Sequence, residues 1–400
     1  MLYSELTQRI QGAGSAAWEL HHEANRRRAA GEDVLVLSVG DPDFDTPGPV
    51  VDAAVQALRS GATHYAAIQG IPRLRQAIAA QSSRQFGHPV NSDRVAVLAG
   101  AQCALFSVAM CLFDVADEVI VVDPTYVTYE GLFGACGAQM VPVAARPENG
   151  FVVRPSDIEA AVTPRTRAVL INSPHNPTGA VVSRDTWLEI AAICQRHDLW
   201  LLSDEVYSEL VFEGEHVSPA GLPGMATRTA TINSLSKSHA MTGWRIGWAV
   251  GPQELITHLG RLSLSMLYGC PEFIQQAACV ALESELPELQ FMRDEYRRRR
   301  DVVCAELSAV PGVSVFKPQA GMFVMVDVRA TGVSAQRFAE MLLSRHRVSL
   351  LPGDPFGAQA AGFLRLGLVQ PVPQMRRACQ GIRLLAHELS LAQRAPVLRS

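Results

Sequence analysis

The sequence predicts an α/β protein with a mainly parallel central sheet covered by helices, joined to a smaller α/β unit. Three observations predict it. From Arg94 to Gly251, short continuous apolar runs alternate with helix-like stretches, the pattern of parallel strands buried on both faces. One long amphipathic stretch follows, placing Leu289, Met292, Tyr296, Val303 and Leu307 on a single face. Beyond it the pattern changes to short strands interleaved with helices.

In chain order, a helix is expected over Ala16–Ala30, followed by the short strand VLVLSVG. The runs RVAVLAG, EVIVV, QMVPV, RAVLIN, LWLLSDE, TATINS and WRIGWAV supply the central sheet, with helices such as Ala101–Phe113 and Arg184–Arg196 between them. After the helix Leu289–Leu307 come VSVFK, GMFVMVDV, RVSLL and FLRLGLV as strands, with helices from Ser334 and Val372. We divide the chain into a large unit, residues 45–290, and a small unit formed by 1–44 and 291–400.

A net charge of −4 offers no basic excess to neutralise phosphates, which argues against a nucleic-acid binder. The runs Arg26–Arg28 and Arg297–Arg300 read as solvated helix faces. The cysteines are scattered without a CxxC pair or zinc-ligand spacing, so reduced thiols and no metal site are expected. The opening MLYSELTQRI lacks a basic region followed by an apolar stretch, and no apolar run is long enough to span a bilayer. A cytoplasmic protein with no membrane contact is the expectation. Arginine supplies almost all positive charge: the only lysines are Lys237 and Lys317. A guanidinium cannot form a Schiff base, so a chain this poor in lysine keeps one chiefly where a deprotonatable amine is needed.

Four segments carry chemistry together. Ser234-Leu-Ser236-Lys237 follows a strand, with Arg245 eight residues on; its amine can condense with an aldehyde while hydroxyls and guanidinium hold a phosphate. Alone, it reads equally as a surface lysine near a turn. Asp204 in Ser203-Asp-Glu-Val-Tyr207 ends another strand, where a carboxylate can pair with a protonated ring nitrogen and Tyr207 can bond a ring oxygen. The plain alternative is a helix N-cap. Asn176 lies in a Pro- and Gly-forced turn, Asn172-Ser-Pro-His-Asn-Pro-Thr-Gly179. Finally, Gly100-Ala101-Gln102 joins a strand to a helix and exposes backbone N–H groups at the positive helix end.

Taken together, these segments resemble the class I and II aminotransferases of fold-type I. SLSKSHAMTGWRIG is similar to that family's lysine signature, and NPTG, DEVY, GDPDFDTP, THYAAIQGIPRLR and RLGLV extend the likeness over nearly the whole chain. The resemblance implies a pyridoxal 5'-phosphate cofactor carried by Lys237 as a Schiff base. It implies that Asp204 pairs with the ring nitrogen, and that Tyr207 and Asn176 bond the ring oxygen. The phosphate would lie against Ser234, Ser236, Arg245 and the backbone of Ala101 and Gln102. Tyr126 matches a position whose ring stacks on the cofactor, and Arg365 the clamp for the substrate's α-carboxylate, which the Gly40 backbone also approaches. Tyr65 resembles a residue that reaches a neighbouring subunit's phosphate, implying a homodimer with shared active sites. The reaction would be ping-pong between an amino acid and a 2-oxo acid.

SDEVYSELVFEGEHVSPA and CPEF (Cys270–Phe273) resemble family members that take L-arginine as donor and pyruvate as acceptor. A guanidinium donor requires a pocket carboxylate, for which Glu19, Glu209 and Glu272 are the candidates. An aspartate or aromatic aminotransferase, or a β-lyase on the same fold, remain alternatives. A regulator with an aminotransferase-like domain is a further one, although no DNA-binding module is evident.

Overall fold

The structure, a computed structural model, describes residues 1–11 and 18–394. Its strands are β1 (Leu35–Val36), β2 (Val95–Leu98), β3 (Glu118–Asp123), β4 (Gln139–Ala144), β5 (Thr166–Asn172), β6 (Trp200–Asp204) and β7 (Thr229–Ser234). They continue as β8 (Gly247–Val250), β9 (Ser314–Phe316), β10 (Phe323–Asp327), β11 (Val348–Ser349), β12 (Leu351–Pro352) and β13 (Phe363–Gly367).

All seven apolar runs between Arg94 and Gly251 become strands of one sheet, in the order β2-β8-β7-β6-β5-β3-β4. Its pairs from β4 through β7 are parallel, and only those involving β8 are antiparallel. The burial explains the sequence pattern. Every residue of β3 is buried, whereas edge strand β4 is half-exposed and carries Pro142, which an edge tolerates. One face packs on the helices Ala101–Leu112 and Gln253–Met266 through Leu105, Val108, Leu255 and Leu259. The other packs on the helix Arg184–Arg196 through Trp187 and Ile190.

The second sheet, β12-β13-β10-β9, is antiparallel. Its core joins the helices Pro287–Leu307 and Ala335–His346 and the helical stretch from Val372 through Tyr296, Phe338 and Ile382. The run RVSLL is not one strand. It changes partners at buried Leu350: β11 pairs in parallel with β1, while β12 pairs with β13. The amino-terminal strand thus joins the carboxy-terminal elements. The helix expected from Ala16 is described from Glu19 to Ala29; Ala16 and Ala17 lie outside the described residues. The long helix begins at Pro287, two residues earlier than expected, with proline in its first turn. No described helix is long and apolar enough to cross a membrane.

One surface reading is corrected. Arg26 and Arg27 do face solvent, pairing with Glu23. Arg299 and Arg300, however, are only 2% and 1% exposed. Arg299 grips Asp43 with both terminal nitrogens (2.6 and 3.0 Å), donates to the Leu368 carbonyl and lies over the Phe44 ring. Arg300 pairs with Glu213 and Asp301 and donates to the Pro318 carbonyl. Local composition hid this because Asp43, Glu213 and the two carbonyls come from distant segments, while only Glu295 and Asp301 are local.

Removing a partner from a buried ion pair strands the remaining charge. Asp43→Ala should therefore lower unfolding stability by about 3 kcal/mol in urea titration, the low end of such losses because Glu295 stays 3.3 Å from Arg299; an unchanged midpoint would show that Arg299 does not depend on Asp43.

Candidate active site

Three neighbouring parallel strands, β5, β6 and β7, end at Asn172, Asp204 and Ser234. Carboxyl ends of parallel strands are where such sheets bind ligands, and here they floor a cavity of about 450 Å³. Val39, Gly40 and Asp41, after β1, form part of the wall, together with Phe323 of β10 and Arg365 of β13. Both sheets and the amino-terminal segment therefore meet at one place.

Arg365 is 2% exposed and carries its charge between two aromatic rings, 4.1 Å from the Phe323 centroid and 4.8 Å from that of Phe356. Its terminal nitrogens donate to Asn176 Oδ1 (3.0 Å) and the Ser38 carbonyl (2.8 Å). Its Nε has no partner, and no carboxylate pairs with it among the described residues. Burial pushes the guanidinium down to about 10. A buried cation that lines a cavity without a paired carboxylate can receive an anion there.

Lys237 Nζ donates to the Gly40 carbonyl at 2.6 Å. Burial pushes its ammonium down to about 8; Asp41 opposes the shift, and Arg365 and Arg245 reinforce it. A lysine so placed is a nucleophile near neutral pH. Gly40 must be glycine, because a Cβ there would come within 2.4 Å of the Phe323 ring.

Asp204 is buried, and burial lifts its carboxyl to about 6. It accepts the Tyr129 hydroxyl at 2.5 Å, and its backbone carbonyl accepts Asn172 Nδ2 at 2.9 Å. Asn172 Oδ1 in turn accepts the Asn176 backbone N–H, so one side chain ties the end of β6 to the Asn-Pro-Thr-Gly turn. The helix N-cap alternative for Ser203 and Asp204 does not apply, since only a turn follows β6. Tyr207 is buried and lines the cavity together with Asn176.

An anion corner lies opposite. The helix Ala101–Leu112 starts after Gly100 without a side-chain cap, leaving its first N–H groups to the cavity. Arg245 donates to the carbonyls of Thr242 and Ala99, crossing Gly100 so closely that a Cβ there would meet its Nη2 at 2.5 Å. Gly100 also has a φ of +89°, which glycine alone tolerates well. Ser234, Ser236, Ala101 and Gln102 line the same cavity.

The structure thus brings together Lys237, Asp204, Tyr207, Asn176, Arg365, Arg245, Ser234, Ser236, Ala101, Gln102, Gly40 and Tyr126. Tyr65 is not among them; it is 84% exposed and packs on Tyr268. Glu19, Glu209 and Glu272 do not line the cavity either. Glu209 and Glu272 border separate surface depressions, and Glu19 is exposed at a helix start. Sequence reasoning missed Tyr129, Asn172, Trp18, Thr242 and Asp41. Asn172 and Asp41 were within reach, being the first residue of one quoted motif and the second of another.

This fold and this cavity place the chain among known proteins. Residues 32–382 match the family described as aminotransferase class I and II, and the chain belongs to that family. It is 60% identical to the arginine–pyruvate transaminase AruH of Pseudomonas aeruginosa, covering 97% of this chain and 99% of that protein. It is 37% identical to an aspartate/prephenate aminotransferase of Thermus thermophilus, over 94% and 97% of the two chains. The solved aspartate aminotransferase of Thermus thermophilus with maleate superposes at a TM-score of 0.91, with 36% identity over 96% of this chain and 100% of that one. The protein is an enzyme of the aminotransferase type.

A lysine lowered to about 8 holds more neutral amine as pH rises through that value. The rate of imine formation between cofactor-free protein and an aromatic aldehyde, taken as the difference from Lys237→Ala, should rise with a midpoint near pH 8 and level off about one unit above it. A rate still climbing at pH 10 would place the amine in ordinary solvent.

Proposed function

We propose that this chain is a pyridoxal-phosphate-dependent aminotransferase that moves the α-amino group of L-arginine to pyruvate, as a cytoplasmic homodimer. The observation carrying the amino-acid reading is the buried, carboxylate-free Arg365, which faces the same cavity as Lys237 and Asp204. The donor and acceptor rest on the likeness to AruH.

The cavity fits the cofactor. The Arg245 guanidinium drawn over Gly100, beside an uncapped helix end, makes a cradle that a Cβ would fill. When bound, pyridoxal phosphate supplies an aldehyde for amine exchange and a ring that withdraws electrons from the substrate's α-carbon. Arg245, Ser234, Ser236 and the N–H groups of Ala101 and Gln102 would hold its phosphate. Asp204 would hold the proton on the ring nitrogen; a carboxyl lifted by burial returns to the charged form once a cation sits beside it. Tyr129 would fix that carboxylate's direction. Tyr207 and Asn176 would bond the ring oxygen, and the Tyr126 ring would flank the ring face.

Arg365 would bind the donor's α-carboxylate through its guanidinium, with Asn176 and Gly40 beside it. The binding energy of that clamp orients the α-carbon toward Lys237. The lysine amine, neutral in good part near pH 8, would take the α-proton as a general base. Donor and acceptor would use the one cavity in turn, the nitrogen staying behind when the first 2-oxo acid leaves.

Residues 45–290 would form the cofactor-binding unit, with 1–44 and 291–400 as the smaller unit over the site. Exposed Tyr65 would reach the neighbouring subunit's phosphate, so the active sites would be shared.

The test is a half-reaction on cofactor-loaded protein. L-Arginine alone should bleach the bound cofactor's visible band, and pyruvate should restore it with alanine formed. If arginine does nothing while aspartate or an aromatic amino acid bleaches the band, the donor assignment is wrong and the chemistry stands.

A further inference from the structure

The charges lining the cavity can be counted against the groups they would meet. The lining cations are Lys237, Arg245 and Arg365, and the lining carboxylates are Asp204 and Asp41. The proposed reaction employs four of these five: Lys237 as the amine, Arg245 for the phosphate, Asp204 for the ring nitrogen and Arg365 for the α-carboxylate. Asp41 is left over.

Its setting is that of a receptor rather than a structural ion pair. Asp41 is exposed to the cavity side of the chain, and no Lys, Arg or His lies within ion-pair distance of it among the described residues. Its neighbour two residues on, Asp43, is instead consumed by buried Arg299. The one side chain bonded to Asp41 is neutral: Thr242 donates its hydroxyl to Oδ1 at 2.6 Å. That bond fixes the carboxylate's direction and leaves Oδ2 for another donor. Asp41 also follows Gly40, whose carbonyl accepts from the Lys237 amine, and lines the same cavity as that amine. Trp18 lines the same cavity and offers an apolar wall to a methylene chain.

We infer that Asp41 is the specificity-determining carboxylate, receiving the cationic end of the donor's side chain while Arg365 holds its α-carboxylate. The donor class this selects is a basic amino acid with a planar, multiply donating head group, which can donate to Oδ2 and to the remaining lone pair of Oδ1. This rests on the proposed aminotransferase reading of the same cavity and replaces Glu19, Glu209 and Glu272 in the role expected for them.

Titration calorimetry on the cofactor-loaded protein separates the possibilities, using two carboxylates that cannot react. These are 5-guanidinopentanoate, which is arginine without its α-amino group, and hexanoate, which lacks the guanidinium. Wild type should bind the guanidino acid about fivefold more tightly than hexanoate, the upper value for a solvated charge pair. In Asp41→Asn the preference should fall to about parity, and Asp41→Glu should recover part of it. The arginine-to-citrulline ratio of kcat/KM should fall in parallel, any effect common to both donors cancelling in the ratio. An Asp41→Asn protein that keeps the wild-type preference overturns the inference and puts the receptor elsewhere, the partner subunit included. Equal weakening of both ligands also overturns it, assigning Asp41 to the lysine or to the pocket's shape. If wild type itself shows no guanidino preference and leaves arginine unreacted, the donor reading fails first, and the inference with it.

Discussion

A single uncompensated charge organises this protein. Arg365 is buried with no carboxylate paired to it among the described residues, a condition that costs several kcal/mol unless every available dipole and ring is turned toward the guanidinium. Those groups come from three separated parts of the chain. Asn176 belongs to the turn after β5, Ser38 to the segment after β1, and Phe323 to β10 of the second sheet. Holding the guanidinium therefore holds the two sheets and the amino-terminal strand in one register around the cavity. The same arrangement leaves Nε without a partner, so the strain in the fold sits at the residue proposed to receive an anion.

Burial acts on the neighbouring groups in the same direction. It drives each toward neutrality: the Lys237 ammonium down to about 8, the Asp204 carboxyl up to about 6 and the Arg365 guanidinium down to about 10. Asp204 is thereby poised to hold its charge when a cation arrives and Lys237 to act while neutral, whereas Arg365 stays cationic at neutral pH. Behind Asp204 the carboxylate of Glu205 is fully buried as well, but its oxygens are saturated by Ser203, Ser218, Gln85 and His216. Adjacent carboxylates on one strand end thus divide, one turned into the cavity and one locked into the packing behind it.

Much of this was legible in the sequence, for identifiable reasons. The central strands were readable because burial on both faces leaves continuous apolar runs, and the twelve-residue helix after Gly100 because it follows a strand and opens on small residues. Lys237 stood out because the chain has one other lysine. What escaped depends on contacts between distant segments. The break at Leu350 arises from a change of partner strand, invisible within RVSLL itself. Arg299 and Arg300 look like solvent-facing charges until Asp43 and Glu213 are folded against them. Tyr129 reads as an ordinary aromatic at a helix start, and nothing nearby in sequence shows that it points at Asp204. Asp41 sat within a recognised motif, yet its neighbours Asp43 and Asp45 give no local sign of which carboxylate faces the cavity.

The central claim is that the Lys237 amine, made nucleophilic by its surroundings, carries the chemistry. With only two lysines in the chain, borohydride reduction of the cofactor-loaded protein followed by peptide mass mapping tests it directly. The account predicts a stable pyridoxyl adduct on the peptide containing Lys237 and none on Lys317, whose ammonium pairs with Glu213 on the surface. An adduct confined to Lys317, or none on either lysine in protein that still turns over, would contradict it.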